Sequence, residues 1–360
     1  MRPSGYFSSD YQIARDRFVE AVRASGGSIE CIPNPHRGPD GGRLFMDIAR
    51  IGAEDATRTL VVISGTHGIE GFAGSGIQTG LLQEGISSRL PKGVSVLMIH
   101  AINPYGMAHL RRFTEDNVDL NRNFRDHSEP HPRNPSYEAL ADVIAPRSLS
   151  FWRELRSWSR ILWYRLAAGT AAAQAAVSGG QYSHADGLFY GGTSSTWSNT
   201  TLREVIQRYL SGATHVVVVD VHTGLGEFGA AEVILNVPES SPEYERAMAI
   251  WGQRVRTTVT GTSVSTHLEA SLKLVIPQML PKAEVTPVSV EFGTVRPMKV
   301  FKAVRAENWL HHHASPEHRK ARLLKERLLR VFQPDSEQWQ TSVWNQGKEV
   351  VDRALAYLAP

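Results

Sequence analysis

Four consecutive valines at positions 216–219 are the feature that most restricts what this chain can fold into. Successive side chains of a strand point to opposite faces, so this run predicts a strand that is buried on both of them. Strands of that kind lie in the centre of a parallel or mixed sheet that helices cover. The run continues into Asp220-Val221-His222, so this strand also carries polar groups to one end of the core.

Weaker strand and helix patterns surround this run. Strand patterns lie at residues 28–48 (short pieces around a turn at 39–42), 60–64, 94–100, 232–237 and 287–293. Helical apolar spacing covers residues 11–25, 71–84, 137–180, 241–258, 300–311, 316–332 and 338–358, and loops are predicted at 187–198 and 224–229. Strands that alternate with helices predict an α/β fold: a single domain over residues 1–360, with a mixed, twisted β-sheet flanked by helices on both faces.

Three tryptophans stand at helical spacing within the segment 137–180. They are Trp152, Trp158 and Trp163, and an alanine-rich tail follows them at 167–177. An aromatic stripe at such spacing is usually packed into a core. The sequence therefore predicts that this stripe is buried.

Composition limits the classes of protein to which the chain can belong. The balance of 39 basic against 36 acidic residues gives a charge of +3, which is too mild to indicate nucleic acid or membrane binding. Cys31 is the one cysteine, which excludes an intrachain disulfide and a cysteine-based metal site. The first residues lack the apolar stretch of a signal peptide, and no segment approaches 18 apolar residues. We therefore expect a cytoplasmic enzyme, and the oligomeric state stays open.

Two potential metal ligands follow the strand at 60–64. The chain breaks at Ser64-Gly65-Thr66 and then presents His67 and Glu70, three residues apart. Residues at that spacing share a face if the chain turns helically. Ligand sites form at strand ends in open α/β sheets, although a solvated turn would explain the same pair.

Other strand ends supply the remaining groups of a catalytic metal site. His222 ends the valine strand, and Glu291 interrupts the apolar strand at 287–293. Two histidines and one carboxylate (His67, His222 and Glu70) are the ligands of an open catalytic zinc site, in which water takes the fourth position. Such a site also needs a carboxylate outside the ligand set to take a proton from that water. Glu291 suits this role, because an unpaired acid in an apolar strand otherwise costs stability.

The order of these motifs resembles the M14 zinc carboxypeptidase family, and most closely its DUF2817 branch. The chain shows H-x-x-E, N-P-x-G, an arginine nine residues before the Asn of D-L-N-R, D-x-H and a strand-borne Glu, over about residues 5–310. The resemblance implies one zinc ion per chain, with His67, Glu70 and His222 as its ligands and Glu291 as the general base.

The resemblance also implies anion-binding roles for the polar stretch at 111–124. Asn121 and Arg122 match the pair that grips the terminal carboxylate of a substrate, where the forked guanidinium of arginine can bind both oxygens. Arg112 matches the arginine that stabilises the oxyanion, with its neighbour Arg111 as a rival. Asp119 matches the acid that fixes the tautomer of the first histidine ligand.

The implied activity is hydrolysis of an amide bond next to a free carboxylate. A carboxypeptidase acting on small peptides comes first, and an N-acyl amino acid deacylase of the aspartoacylase type is the alternative, because the stretches around His222 and Glu291 resemble both groups. A non-catalytic binding protein on the same fold is a third possibility, which a lone acid at position 291 disfavours. His222 lies 152 positions after Glu70, which exceeds the usual gap, so the segment near 145–180 is predicted to be a helical insertion.

Overall fold

The computed structural model describes residues 2–315 and 317–360. Within these residues, eight strands form one sheet in the order β1-β2-β4-β3-β5-β8-β6-β7. The strands are β1 (Ser28–Arg37), β2 (Arg43–Ile51), β3 (Arg58–Ile63), β4 (Val94–His100), β5 (His215–Phe228), β6 (Ala231–Leu235), β7 (Val255–Thr257) and β8 (Glu284–Gly293).

The sheet is mixed, as the sequence predicts. The neighbouring strands β4, β3, β5 and β8 run parallel to one another. β2 pairs antiparallel with β4, β1 with β2, and β6 with β8, while β7 at the edge is parallel to β6. Because the central strands share one direction, their carboxyl ends meet at one edge of the sheet. That edge is where an open α/β sheet places its ligand site.

The valine run lies in the centre of the sheet, with both faces buried. Val216 and Val218 pack into the core on one face, and Val217 and Val219 into the core on the other. The strand extends to Phe228, so residues 224–228 are strand and not the predicted loop. A bulge interrupts the pairing between Gly224 and Phe228, because glycines there allow positive φ angles that let the strand bend without ending.

Helices cover both faces of the sheet, which confirms the predicted architecture. Helices α1, α2, α8 and α12 supply side chains to the core on one face, α7 and α9 to the core on the other, and α4, α10 and α11 to a third cluster. The helices are α1 (Tyr11–Ala24), α2 (Gly71–Gln83), α3 (Pro104–Ala108), α4 (Pro135–Ile144), α5 (Phe151–Ala168), α6 (Thr170–Ser178), α7 (Trp197–Leu210), α8 (Pro242–Trp251), α9 (Leu272–Met279), α10 (Pro297–His313), α11 (Ala321–Phe332) and α12 (Glu337–Leu358). None of the described helices is both long enough and apolar enough to cross a membrane.

Several boundaries differ from the prediction. The helix predicted at 241–258 ends at Trp251, because Gly252 has a φ of 59° that breaks the helix, and residues 255–257 form a short strand. The helix predicted at 316–332 begins at Ala321, and position 316 itself lies outside the described residues. Helices α7 and α9 were not predicted.

The predicted burial of the tryptophan stripe is wrong. Only Trp158 turns inward, where its ring packs edge-on against Phe301 with the centroids 6.0 Å apart. Trp152 and Trp163 project from α5 into solvent. Helical spacing shows that one face of a helix is apolar, and it does not show whether another part of the protein covers that face.

Close backbone contact fixes the turn that carries the first two candidate ligands. A methyl group added at Gly68 would lie 2.1 Å from the carbonyl carbon of Gly106 at the start of α3. Real contacts between nonbonded carbons are far longer, so only glycine fits between His67 and the residues that follow it.

We expect Gly68→Ala to lower the free energy of unfolding by about 2 kcal/mol, since the methyl group meets rigid backbone rather than a movable side chain. Chemical denaturation measures this change. Gly212→Ala is the matched control, because nothing lies within 4 Å of its methyl position. Equal stability of the two variants would contradict the close packing described for Gly68.

Candidate metal centre

The parallel strands bring the predicted ligands to one edge of the sheet. His67 follows β3, and the 3₁₀ turn Gly68–Glu70 then carries Glu70 back towards it. His222 lies in β5 directly opposite Glu291 of β8 in the parallel register. All four side chains are buried.

Three of these residues form a cluster that could hold a metal ion. Nδ1 of His67 lies 3.0 Å from Oε1 of Glu70, and Nδ1 of His222 lies 3.0 Å from Oε2 of the same carboxylate. The two Nδ1 atoms are 3.2 Å apart. Ligand atoms about 2.0–2.1 Å from a tetrahedral zinc ion stand about 3.3 Å from one another, so the donor set fits that ion.

Carboxylates hold the other nitrogen of each ring. Nε2 of His222 lies 2.6 Å from Oδ2 of Asp220, and Nε2 of His67 lies 3.3 Å from Oδ1 of Asp119. Nη2 of Arg112 also lies 2.8 Å from Nε2 of His67. These contacts orient both rings so that the Nδ1 atoms face the cluster. Asp220 in turn accepts a hydrogen bond of 2.8 Å from Oγ1 of Thr66.

Asp220 is a site residue to which the sequence analysis gave no role. The signal was present in the D-x-H motif, because alternate residues of a strand project from the same face. Its partner Thr66 belongs to the break after β3, far away in the chain. Sequence spacing could not reveal that contact.

The charges of the cluster favour a cation. Burial alone would lower the pKa of His222, but the carboxylates of Asp220 and Glu70 raise it to about 10. Burial acts against ionisation of Glu70, yet the nearby His67 and Arg112 hold the pKa of that carboxyl well below its usual range. Ionised oxygen beside two imidazole nitrogens is a donor set suited to a divalent metal ion.

Glu291 lies beside the ligand cluster and is not one of the three residues that form it. Its Oε1 accepts a hydrogen bond of 2.9 Å from the backbone N–H of Leu225. Burial and the neighbouring Glu70 carboxylate raise the pKa of Glu291 to about 7. A carboxyl group with that pKa can both take up and release a proton near neutral pH.

The two adjacent arginines point to different places. Arg112 donates to Oε1 of Glu70 over 2.6 Å and to Oδ2 of Asp119 over 3.0 Å. Arg111 instead donates to Glu307 over 2.9 Å and to Asn117 over 2.8 Å. Of the two rivals, Arg112 is therefore the one that reaches the candidate site.

The predicted carboxylate-binding pair also lies at the site. Arg122 donates to Oδ1 of Asp119 over 3.0 Å and to the carbonyl oxygen of Ser178 at the end of α6. Among the described residues, no acceptor lies within hydrogen-bond distance of its buried Nε. Asn121 accepts from the backbone N–H of Leu272 at the start of α9 over 3.3 Å.

Lys273 is a cation of this region that the sequence analysis did not identify. Its Nζ donates to the carbonyl oxygen of Ile234 over 3.2 Å, and Ile234 pairs with Ser289 two residues before Glu291. Burial lowers the pKa of Lys273 to about 8, against the opposite effect of Asp220 and Glu291. A lysine in the first turn of a short helix resembles any surface lysine, so only the fold reveals it.

The sequence shows the family to which the chain belongs. Residues 7–346 match the sequence profile of DUF2817, which is described as a family of proteins of unknown function. The chain therefore belongs to the DUF2817 family, which confirms the family resemblance in its motifs. No curated protein sequence matches this chain.

Several solved structures are similar to this chain, and the first of those that follow shares its fold. Carboxypeptidase A from Helicoverpa armigera matches with a TM-score of 0.51 at 12% identity, over 97% of this chain and 74% of the other. Bovine thrombin-activatable fibrinolysis inhibitor matches at 11% identity with a TM-score of 0.47, over 96% and 98% of the two chains. Succinylglutamate desuccinylase from Chromobacterium violaceum matches at 12% identity with a TM-score of 0.39, over 92% and 76%.

We expect the purified protein to bind one divalent metal ion per chain. His222→Ala should weaken metal affinity by at least about 10²-fold, because it removes one of three protein ligands that act together. Competition with a chromophoric chelator measures the affinity, and elemental analysis gives the occupancy.

His215→Ala is the matched control for this experiment. His215 begins the same strand, and Nδ1 of its ring lies 3.0 Å from Oγ1 of Thr214, so it takes no part in the cluster. Metal binding by this variant should equal that of the wild type. Undiminished affinity in His222→Ala would refute the ligand assignment.

Proposed function

We propose that this chain is a zinc-dependent hydrolase that cleaves an amide bond next to a free carboxylate, in the manner of a carboxypeptidase. One observation carries the proposal. Two histidine Nδ1 atoms and the Glu70 carboxylate converge at a sheet edge, and Glu291 lies opposite His222 on the next strand. The fold shared with a carboxypeptidase A supports this assignment.

His67, Glu70 and His222 would hold the zinc ion, which would lower the pKa of a water molecule and polarise the substrate carbonyl. Glu291 takes the proton from the attacking water at its free carboxylate oxygen and passes it to the leaving nitrogen. The hydrogen bond from Leu225 holds Oε1, so the other oxygen is the one that exchanges protons.

Arg112 supplies positive charge for the oxyanion that develops on the substrate. Its guanidinium group neutralises Glu70 and Asp119 in the structure, so it is already held at the site by two ion pairs. A cation bound by Glu70 would neutralise that carboxylate instead. The N–H groups of Arg112 would then be available to a substrate oxygen.

Arg122 and Asn121 bind the free carboxylate of the substrate. The buried Nε of Arg122 needs an acceptor, and a carboxylate can engage Nε and a second N–H together. The same guanidinium contacts Asp119, which orients His67. The carboxylate-binding group and the metal ligands are therefore parts of one hydrogen-bonded network.

An N-acyl amino acid deacylase of the aspartoacylase type is the second candidate. The contact between Arg122 and the Ser178 carbonyl favours it, because α6 then borders the site and leaves less room for an extended peptide. Helices α4, α5 and α6 lie within residues 135–178, which overlap the predicted insertion near 145–180, and α6 supplies that border.

We expect Glu291→Gln to retain metal and to lower kcat by at least about 10²-fold, with a small change in KM. Glutamine keeps the shape of the side chain and can accept from Leu225, but it cannot take a proton. The measurement is steady-state hydrolysis of dipeptides and N-acyl amino acids alongside elemental analysis.

Glu232→Gln is the matched control, since Glu232 lies directly opposite Glu291 on β6 and the substitution is the same. It should retain turnover close to that of the wild type. An unchanged kcat in Glu291→Gln would rule out Glu291 as the base.

We expect substrates amidated at the free carboxylate to react about 10²-fold more slowly than the free acids, because an amide lacks the charge and the second acceptor that Arg122 binds. Arg122→Ala should remove most of this discrimination and keep its metal. Arg125→Ala, three residues away, is the control and should discriminate as the wild type does. Equal hydrolysis of both substrate forms by the wild type would refute the carboxylate-binding role.

The same assay distinguishes the two candidate functions. Higher kcat/KM for dipeptides than for N-acyl amino acids supports the peptidase, and the reverse order supports the deacylase. Both substrate classes carry the free carboxylate that the proposed pair would bind.

A further inference from the structure

Helix α5 presents an unusual apolar surface to solvent. Six large apolar side chains of this helix are each between 51% and 76% exposed. They are Phe151, Trp152, Leu155, Leu162, Trp163 and Leu166. At 3.6 residues per turn, these six positions fall within a sector of about 120°, in which Ser159 is the one polar residue. We call these six side chains the outer α5 face.

The rest of α5 is fixed to the protein. Trp158, at the margin of the apolar sector, packs against Phe301, and Tyr164 on the far side donates a hydrogen bond of 2.9 Å to Ser136. Ion pairs hold the same side, where Glu154 meets the buried Arg305 and Arg160 meets Asp142 over 2.6 Å. These contacts prevent the outer α5 face from turning towards the core.

Arginines border the outer α5 face. Arg156 and Arg165 flank the apolar sector on its two sides, and Arg153 lies further round the helix. All three are exposed, in contrast to Arg160, which is bound to Asp142. Within the described part of the chain, the helix therefore combines an apolar surface with arginines along its margins that form no ion pair.

We propose that the outer α5 face binds the surface of a membrane rich in anionic phospholipids, so that the protein associates with it peripherally. Aromatic and aliphatic side chains on one face and arginines beside them are the features of helices that lie in a membrane interface. Tryptophan favours that depth, because its ring is apolar and its N–H is polar. Arginine at the margins attracts phospholipid phosphates.

A second copy of this chain fits the outer α5 face less well. Eighteen residues span about 27 Å, and a stripe about 10 Å wide then offers about 270 Å² per copy. Two such stripes bury about 540 Å², whereas stable protein interfaces bury about 1,200 Å² or more. Symmetric pairing of α5 would also bring the bordering arginines close to one another, which costs binding energy.

This surface is independent of the proposed reaction. The small net charge of the whole chain does not exclude this binding, because binding to a membrane surface depends on the charge and apolar area of the outer α5 face itself. A peripheral membrane contact requires no helix that crosses the bilayer. Its test therefore requires neither substrate nor metal.

The experiment is cosedimentation of the full-length protein with vesicles of phosphatidylcholine alone, or of phosphatidylcholine and phosphatidylglycerol at about 7:3. We expect binding to the anionic vesicles at least about 10-fold tighter than to the neutral ones, and weaker binding as salt rises. Trp152→Ser with Trp163→Ser should weaken binding at least about 10-fold. Arg153→Gln, Arg156→Gln and Arg165→Gln together should weaken it by about 10²-fold.

The control exchanges two exposed apolar residues elsewhere, Ile13→Ser with Leu323→Ser, and should bind as the wild type does. Thermal unfolding and bound metal verify that each variant is folded. Absence of binding to anionic vesicles, or equal loss in the control, overturns the proposal. Sedimentation velocity tests the alternative that two copies of the chain pair through this face. A wild type that is dimeric and does not bind vesicles, together with a tryptophan variant that is monomeric, would show that the face joins two copies.

Discussion

The burial of four carboxylates at one edge of the sheet is the constraint on which the rest of the site depends. Glu70, Asp119, Asp220 and Glu291 are all shielded from water, and an isolated charge in such a place is strongly unfavourable. The structure offsets this cost with two histidines, two arginines and backbone N–H groups. Removal of any one partner would leave an uncompensated charge, so the orientation of each group determines that of its neighbours.

Much of this arrangement could be predicted from local sequence. Apolar runs locate β3, β5 and β8, and polar residues at the ends of those runs identify His67, His222 and Glu291, because parallel strands share one carboxyl edge. The distinction between Arg111 and Arg112 could not be predicted. Their side chains take opposite directions because Glu307, 196 residues beyond Arg111, draws one of them away from the site.

Helix α5 shows a different limit of sequence analysis. A period of 3.6 residues reveals an apolar sector, yet that sector has the same pattern whether it meets another helix, a lipid surface or water. Trp158 at its margin contacts Phe301, whereas the six side chains of the outer α5 face remain more than half exposed. Burial of α5 depends on residues about 150 positions away in the chain, which its own pattern does not encode.

The carbonyl oxygen of Ser178 accepts a hydrogen bond from one N–H of Arg122, so a ligand that uses the same N–H must compete with it. An incoming group must accept hydrogen bonds from that guanidinium better than a backbone carbonyl does, or it gains nothing by displacing one. A carboxylate meets this condition because its charge strengthens the hydrogen bond. A neutral carbonyl would only replace one neutral hydrogen bond with another of similar strength. If Arg122 binds the substrate as proposed, a charged ligand would displace the end of α6 from this guanidinium group, and a neutral ligand would leave it in place.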